Sequence, residues 1–330
     1  MPSPLNVSIV VCTRDKAESL AQTLESIART AIPGDFACEL LIVDNGPGEA
    51  TRLAVANCPV SNMPVRYVVE PRKGLAIARN HALNATDGQI LLFTDDDVRV
   101  PRNWIEGMCR PIADKMTDAI AGGVRIPANL RRLIGSNYGW FASTEEISCE
   151  RPDRIVGANM AFGRHVLDRI PCFDEELGAG QHGFFEDTLF SWQLLTAGYK
   201  IISRFDVEVD HHFEQSRTTH ESMLRTADRM ARSQAYVEYH WKHSKLSNIK
   251  LFFAHSHLWA RRIRHQWFAG ERGLVWELCK TFNASFKDQF LVEEKYPHKY
   301  ELRGLIKRSP QQIVNDDEPQ TAIPSVFEPV

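Results

Sequence analysis

Short apolar runs alternate with amphipathic stretches through the first half of the chain, and that alternation predicts a strand–helix series. Residues 7–12, Val-Ser-Ile-Val-Val-Cys, read as a buried strand. Residues 15–29 follow with helical spacing, Leu20, Leu24, Ile27 and Ala28 sharing one face. Residues 40–43 form a second strand that ends on the turn signal Asp44-Asn45-Gly46-Pro47, and residues 65–69 a third. Residues 74–85 read as a helix with Ala78 and Ala82 one turn apart. Residues 90–94 are a fourth strand, bounded by the Asp87-Gly88 turn and an acidic triplet. Such a series implies a mixed, mostly parallel α/β sheet with helices on both faces.

The pattern then loosens. A helix over 104–116 and a strand over 119–126 are expected, then a long loop or lid between Pro127 and Pro152, where periodicity is lost. Residues 154–162 read as a strand, 187–197 as a helix ended by Gly198, and 200–203 as a short strand. The loop after that strand carries His211-His212. Past Arg217 the character turns helical, with Trp, His and Arg recurring through Phe286, and residues 309–330 are polar, proline-containing and expected to be disordered. The implied organisation is an α/β unit over 1–215, a helical region over 216–308 and a tail over 309–330.

Composition narrows the class. With 330 residues, 43% hydrophobic and 25% charged, the chain has the make-up of an ordinary soluble globular protein with a large core. A net charge of −3 argues against a nucleic-acid partner. Seven scattered cysteines without a Cys-x-x-Cys pair argue against a disulfide framework or a zinc site, so a reducing cytoplasm is expected. The first six residues lack the basic lead of a signal peptide, and no run approaches the ~18 apolar residues of a membrane span.

The acidic triplet carries the chemistry. Asp95-Asp96-Asp97 sits where the fourth strand stops, and open α/β sheets bind ligands outside the carboxyl ends of their strands. Adjacent carboxylates repel unless a cation holds them, and hard divalent cations prefer oxygen ligands. A solvated acidic turn is the alternative reading of the triplet alone.

Further motifs occur around it in a fixed order: Val7-Ser-Ile-Val-Val-Cys-Thr13, Leu41-Ile-Val-Asp44-Asn45, Gly74-Leu-Ala-Ile-Ala-Arg79-Asn80, Phe93-Thr-Asp-Asp-Asp97, Gly157-Ala-Asn-Met-Ala-Phe162 and Phe185-Glu186-Asp187. Over roughly residues 5–215 the chain resembles family 2 glycosyltransferases, which have the GT-A fold. The resemblance implies transfer of a sugar from a nucleotide-diphosphate donor to a hydroxyl acceptor in glycan or cell-surface polysaccharide synthesis, with inversion.

By that resemblance Thr13, Arg14, Asp15, Asp44, Lys73, Arg79, Asp95 and Asp96 bind the nucleotide sugar. Asp44 would accept from a pyrimidine ring N–H, favouring a UDP- or dTDP-sugar, and Asp95 would reach the ribose or a metal-bound water. Asp97 would coordinate Mg²⁺ or Mn²⁺, with His211 or His212 adding a nitrogen ligand that tilts preference toward Mn²⁺. Asp187, paired with Glu186 at a helix start, would be the base that takes the acceptor proton. Helix N-capping is the plainer role for Asp187, turn chemistry for Asp44, and a surface ion pair for Arg79.

Two departures stand out: Asp15 where many members have asparagine nearby, and Gln181-His182-Gly183-Phe184-Phe185 where members often show glycines before the Glu-Asp pair. Phe184 and Phe185 either stack on a sugar or close the core. The Gln-x-x-Arg-Trp motif of processive synthases is missing, which favours single additions. Residues 251–268, with Arg261, Arg262 and Arg264 beside Trp259, Trp267 and Phe268, resemble an interfacial helix suited to a lipid-linked acceptor at the inner membrane face. A C-terminal helix packed with its arginines outward is the alternative.

Other classes fit less well. A dinucleotide oxidoreductase wants Gly-x-Gly-x-x-Gly where Thr13-Arg14-Asp15 stands. A haloacid-dehalogenase-type phosphatase wants its Asp-x-Asp on the first strand, and a nucleotidyltransferase a glycine-rich N-terminal loop. A sugar-nucleotide-binding pseudoenzyme is the non-catalytic alternative, disfavoured by the presence of both Asp97 and Asp187.

Overall fold

The computed structural model describes residues 3–134, 138–145, 147–150, 152, 154–246 and 272–305. Its elements run β1 (Leu5–Thr13), α1 (Ala17–Ala28), β2 (Phe36–Asp44), α2 (Glu49–Ala56), β3 (Val65–Val69), α3 (Leu75–Ala85), β4 (Ile90–Asp95), β5 (Val98–Arg99), α4 (Trp104–Ala113), β6 (Ala119–Arg125), α5 (Ala128–Ile134), β7 (Asn159–Gly163), α6 (Glu186–Thr196), β8 (Ile201–His211), α7 (His220–His240) and α8 (Arg272–Glu293).

The strands make one eight-stranded sheet in the order β3-β2-β1-β4-β7-β6-β8-β5. β1 is parallel to β2 and β4, β2 to β3, and β6 to β8, while β7 runs antiparallel between β4 and β6. Both faces are covered, which is why β1, β2 and β4 are near-continuous apolar runs. Along β1, Val7, Ile9 and Val11 pack with α1 and α4 residues such as Leu20, Leu24, Trp104 and Met108. Val10 and Cys12 face the other way, into a cluster that includes Phe93, Phe162, Phe173 and Phe190. The register sets up the site: Thr13 pairs with Asp44 and Cys12 with Asp95, so three strands stop together and present their polar ends along one edge.

The second half departs from the periodicity. The expected long loop over 127–152 contains α5 and a 3-10 turn, Tyr138–Phe141, because Leu130 and Ile134, one helical turn apart, pack with Ile126, Phe141 and Phe213. The strand expected over 154–162 is confined to β7, although Ile155 and Val156 are buried ahead of it. The strand expected to end at Ser203 runs on to His211, where Val207, Val209 and His211 alternate inward. An irregularity between Gly122 and Gly123 makes this possible: the β6 partner jumps from Arg204 to Glu208. Asn159 fills the gap, its side-chain amide donating to the carbonyls of Gly123 and Val207 (both 2.9 Å) while its oxygen accepts from the Trp104 indole N–H (2.9 Å). A Cβ at Gly122 would lie 2.3 Å from the Asn159 amide nitrogen, so the position requires glycine.

α7 and α8 pack together in the helical region, and Tyr236, Val237, Trp241 and Tyr300 join Leu177 and Leu189 beside α6. Among the described residues no helix is long and apolar enough to cross a membrane. Residues 251–268 and 309–330, singled out in the sequence, lie outside the described residues.

Candidate active site

The site is built where β1, β2 and β4 stop. Past β4 the chain turns through Asp96 and Asp97, both almost fully buried, before the short β5. Asp96 accepts from the Thr13 hydroxyl (2.7 Å) and from Lys16 Nζ (3.3 Å). Asp97 divides its oxygens: Oδ2 accepts from Lys16 Nζ (2.8 Å), and Oδ1 lies 3.2 Å from His211 Nε2. Burial pushes both acids up. Lys16 only partly offsets it at Asp96, raised to about 6, while His211 and Lys16 outweigh it at Asp97, which is held well below the ordinary carboxylate range.

The histidine is the inward one of the pair. His211 Nδ1 stands 2.7 Å from the Phe141 carbonyl oxygen, which can only accept, so Nδ1 carries the proton and Nε2 faces Asp97. Nε2 beside a carboxylate oxygen needs either a second proton or a cation between them. Two ligand atoms bonded to one divalent ion stand about 3 Å apart, so the spacing fits Mg²⁺ or Mn²⁺. His212 is exposed and uses its backbone N–H, donating to the Asp97 carbonyl (2.7 Å). Among the described residues no group of three or more His, Cys, Asp or Glu is placed to hold a metal. Two protein ligands leave the rest of a coordination shell to phosphate and water oxygens, the usual division for Mg²⁺.

Arg79 joins this corner to the other acid pair. Its guanidinium, buried in α3, donates to Glu186 Oε1 (2.9 Å) and to Asp95 Oδ1 (3.4 Å), with its carbon 5.6 Å from the Phe173 ring centre. Gly157 leaves room for it: a Cβ there would come within 2.0 Å of the guanidinium. Asp187 accepts from the Gly157 N–H (3.0 Å) and is partly exposed. It does not cap α6. The cap position is Phe185, in the left-handed region at φ 76°, and Asp187 lies in the first turn, where the helix dipole favours its charge. Burial, and next the Asp187 charge, push Glu186 up to about 7 despite Arg79. Phe185 packs on Trp192 and closes the core.

The remaining predicted residues line the same edge unevenly. Asp44 is fully buried, its oxygens accepting from the Gly46 N–H (3.1 Å) and the Tyr67 hydroxyl (2.7 Å). Arg14 donates to the Asn45 carbonyl (2.5 Å) and reaches Asp15 (3.4 Å). Lys73 is exposed, its carbonyl accepting from the Gln181 side chain (2.7 Å).

Residues 8–167 match the model for glycosyl transferase family 2. The match takes in just under half of the chain, and over that stretch the sequence is similar to the family. The chain is 31% identical over 122 residues to the succinoglycan biosynthesis protein ExoM of Rhizobium meliloti, covering 37% of this chain and 39% of ExoM. It is 23% identical over 205 residues to the glycosyltransferase AglE of Haloferax volcanii, covering 61% and 65%. The matches thus span less than two thirds of the length of either relative. The fold of the chain recurs in the mannosyltransferase PcManGT from Pyrobaculum calidifontis, solved with GDP-Man and Mn²⁺ (TM-score 0.58, 20% identity, 89% of each chain). It recurs also in GalNAc-T7 with UDP, GalNAc and Mn²⁺ (TM-score 0.52, 15% identity, 91% of this chain and 60% of that one).

Three residues of this edge have roles that their local sequence does not announce. Lys16, bridging Asp96 and Asp97, looks like any first-turn lysine. Its backbone neighbour Asp15 sits at φ 56°, a left-handed conformation that Asp and Asn both tolerate, so the departure from asparagine keeps the turn. Asn45 ties the β2 end to the next loop, its amide donating to the carbonyls of Glu70 and Arg72 and its oxygen accepting from the Gly74 N–H. Gly157 was legible only as part of a motif, not as the clearance for Arg79.

Proposed function

We propose that the chain transfers a sugar from a nucleotide-diphosphate donor to an acceptor hydroxyl, inverting and adding one unit at a time. The observation that carries this reading is the Arg79 guanidinium, which touches Asp95 and Glu186 at once. The acid turn after β4 and the Glu-Asp start of α6 therefore lie within reach of one guanidinium, the closeness that a donor diphosphate and an attacking hydroxyl require. Asp97 and His211 would hold Mn²⁺ or Mg²⁺, which neutralises charge developing on the leaving diphosphate. Thr13 orients Asp96, and Lys16 balances the acids when no ligand is present. Asp187, the partly exposed member of its pair, takes the proton as the acceptor oxygen attacks. Glu186 fixes Arg79 rather than touching the acceptor.

The donor is read as a UDP- or dTDP-sugar, through Asp44 and the Thr13-Arg14-Asp15 turn. Asp44 keeps a second lone pair on each oxygen for that purpose. GDP-Man and UDP in the similar structures support a nucleotide-diphosphate donor with Mn²⁺. The acceptor is read as a glycan or a lipid-linked glycan. Residues 1–215 form the catalytic part, 216–308 a helical extension and 309–330 a tail. A cytoplasmic enzyme docking on the inner membrane face through 251–268 suits such an acceptor; absence of flotation with anionic liposomes at low salt would retire that part.

A panel of nucleotide sugars, incubated with Mn²⁺ and assayed for released nucleoside diphosphate, tests the reading. Slow hydrolysis of one donor, stopped by Asp97→Asn, is expected. If no donor is cleaved and none raises the melting temperature, the transferase reading fails.

A further inference from the structure

Arg217 is the charged neighbour of this site that the roles above leave idle. It follows β8 in a 3-10 turn, Gln215–Thr218. Its guanidinium carbon lies 5.4 Å from the centre of the Phe141 ring and 5.6 Å from that of Phe213. Those rings are 4.4 Å apart, and both residues also contact His211, Phe213 by its ring and Phe141 by its backbone carbonyl. The Phe141 carbonyl accepts from His211 Nδ1, and the Phe213 ring centre stands 5.5 Å from the imidazole centre. One aromatic scaffold thus fixes both the histidine facing Asp97 and this arginine.

The charge balance points the same way. Arg217 is also near enough to Lys16 for its charge to oppose the ammonium. Lys16 has Asp96 and Asp97 as partners, whereas the Arg217 guanidinium makes no ion pair among the described residues. The acids nearest in sequence are engaged elsewhere, Glu214 accepting from Ser216 Oγ (3.1 Å) and Glu221 from Arg225 (2.5 Å). Two like charges that feel one another, one without a carboxylate, leave a net positive field that an anion would complete. A guanidinium lying against aromatic rings keeps its planar fork preorganised, and that fork matches phosphate oxygens in a bidentate way.

We infer that Arg217 binds the diphosphate of the donor nucleotide and is the residue at which the site distinguishes a nucleoside diphosphate from a monophosphate. The inference rests on the donor reading above.

Isothermal titration with UDP, GDP, UMP and GMP at saturating Mn²⁺ tests it. Arg217→Gln is expected to weaken the preferred diphosphate by about ten- to hundredfold, and the matching monophosphate by no more than about twofold. Arg217→Lys keeps the charge but loses the fork, and should fall between Gln and wild type. Equal diphosphate affinity in Arg217→Gln and wild type, or an equal loss for diphosphate and monophosphate, overturns the inference while leaving the donor reading intact. Should the Gln variant fail to fold by circular dichroism, the Lys variant decides: a selective diphosphate loss upholds the assignment and none refutes it. A wild type that binds none of the four nucleotides sinks the donor reading and this inference with it.

Discussion

Two acid pairs stand at the same edge of the sheet, and their surroundings give them different electrostatics. Asp96 and Asp97 face Lys16, Thr13 and His211, and the cations leave Asp97 well below the ordinary range although it is buried. Glu186 and Asp187 have one guanidinium nearby, shared with Asp95, and burial lifts Glu186 to about 7. Asp97 therefore presents a fixed negative charge, which suits a cation, while burial lifts its neighbour Asp96 to about 6. The second pair keeps a proton close to neutrality on its buried member and leaves Asp187 with solvent access. What neighbours adjacent carboxylates, not their spacing, sets which of them stays charged and which keeps a proton near neutrality.

The contrast breaks most sharply in kinetics. Asp187→Asn is expected to lower kcat by about 10²–10⁴-fold while leaving donor affinity nearly unchanged. Asp97→Asn should instead abolish the Mn²⁺-dependent stabilisation by nucleoside diphosphate, about 2.7 kcal/mol at a ligand concentration of ~100 Kd. Single-turnover rates and thermal shifts on both variants separate the two. Equal loss of binding and turnover in each would mean the pairs do the same work.

Arg79 comes next in size. Arg79→Met leaves Glu186 and Asp95 facing each other without the guanidinium, and urea unfolding at pH 7 should show a loss of about 3–5 kcal/mol. Lys16→Met should cost less, about 1–3 kcal/mol, because the ammonium is about a third exposed and Asp97 keeps His211 beside it. A larger loss for Lys16 than for Arg79 would reverse the ranking of the two corners.

Glu186 also gives the comparison a pH axis. Its folded value of about 7 lies above the ordinary 4.5, so the folded chain binds this proton more tightly than the unfolded one. The stability it brings is whole below about pH 4.5 and is lost as pH rises through about 7. Asp97, held low, adds no slope in that window. Melting temperature measured between pH 5 and 8 should therefore fall with pH in the wild type and fall less in Glu186→Gln; parallel curves would show that Glu186 titrates normally.

How far the sequence announces all this differs between the halves. Strands β1, β2 and β4 are buried on both faces, so their apolar runs and polar ends are visible in the sequence, and Asp44 and Asp95 stand at the strand ends with Asp97 in the turn beyond. The bond that matters most, Arg79 to Glu186, joins residues 107 apart, and no local pattern records it. α5 was lost because one short helix with two inward residues leaves little periodicity. The β8 extension was legible in the alternation Val207-Glu208-Val209-Asp210-His211, but the gap in pairing at Gly122-Gly123 hid its continuity with residues 201–204. Lys16 and Asn45 act through turns whose geometry is tertiary.

The smallest effect concerns what holds each pair in place. The acid turn is anchored by strands, whereas the Glu-Asp pair follows a loop, 173–185, pinned from outside. Asp174 in that loop accepts from the hydroxyls of Tyr236 on α7 (2.9 Å) and Tyr300 (2.6 Å), and the Ser233 hydroxyl on α7 accepts from the Phe184 N–H (3.0 Å). The Leu75 N–H meets the Ala179 carbonyl (2.8 Å), tying the loop to α3 as well. The helical region thus positions the start of α6. Tyr300→Phe removes one buried hydrogen bond and should cost about 1 kcal/mol of stability. Because the loosened loop leads to Asp187 and not to Asp97, kcat should fall several-fold, within the roughly fivefold that 1 kcal/mol allows, with donor affinity held. A variant whose donor affinity drops while kcat stays constant would place the helical region's influence on the other acid pair.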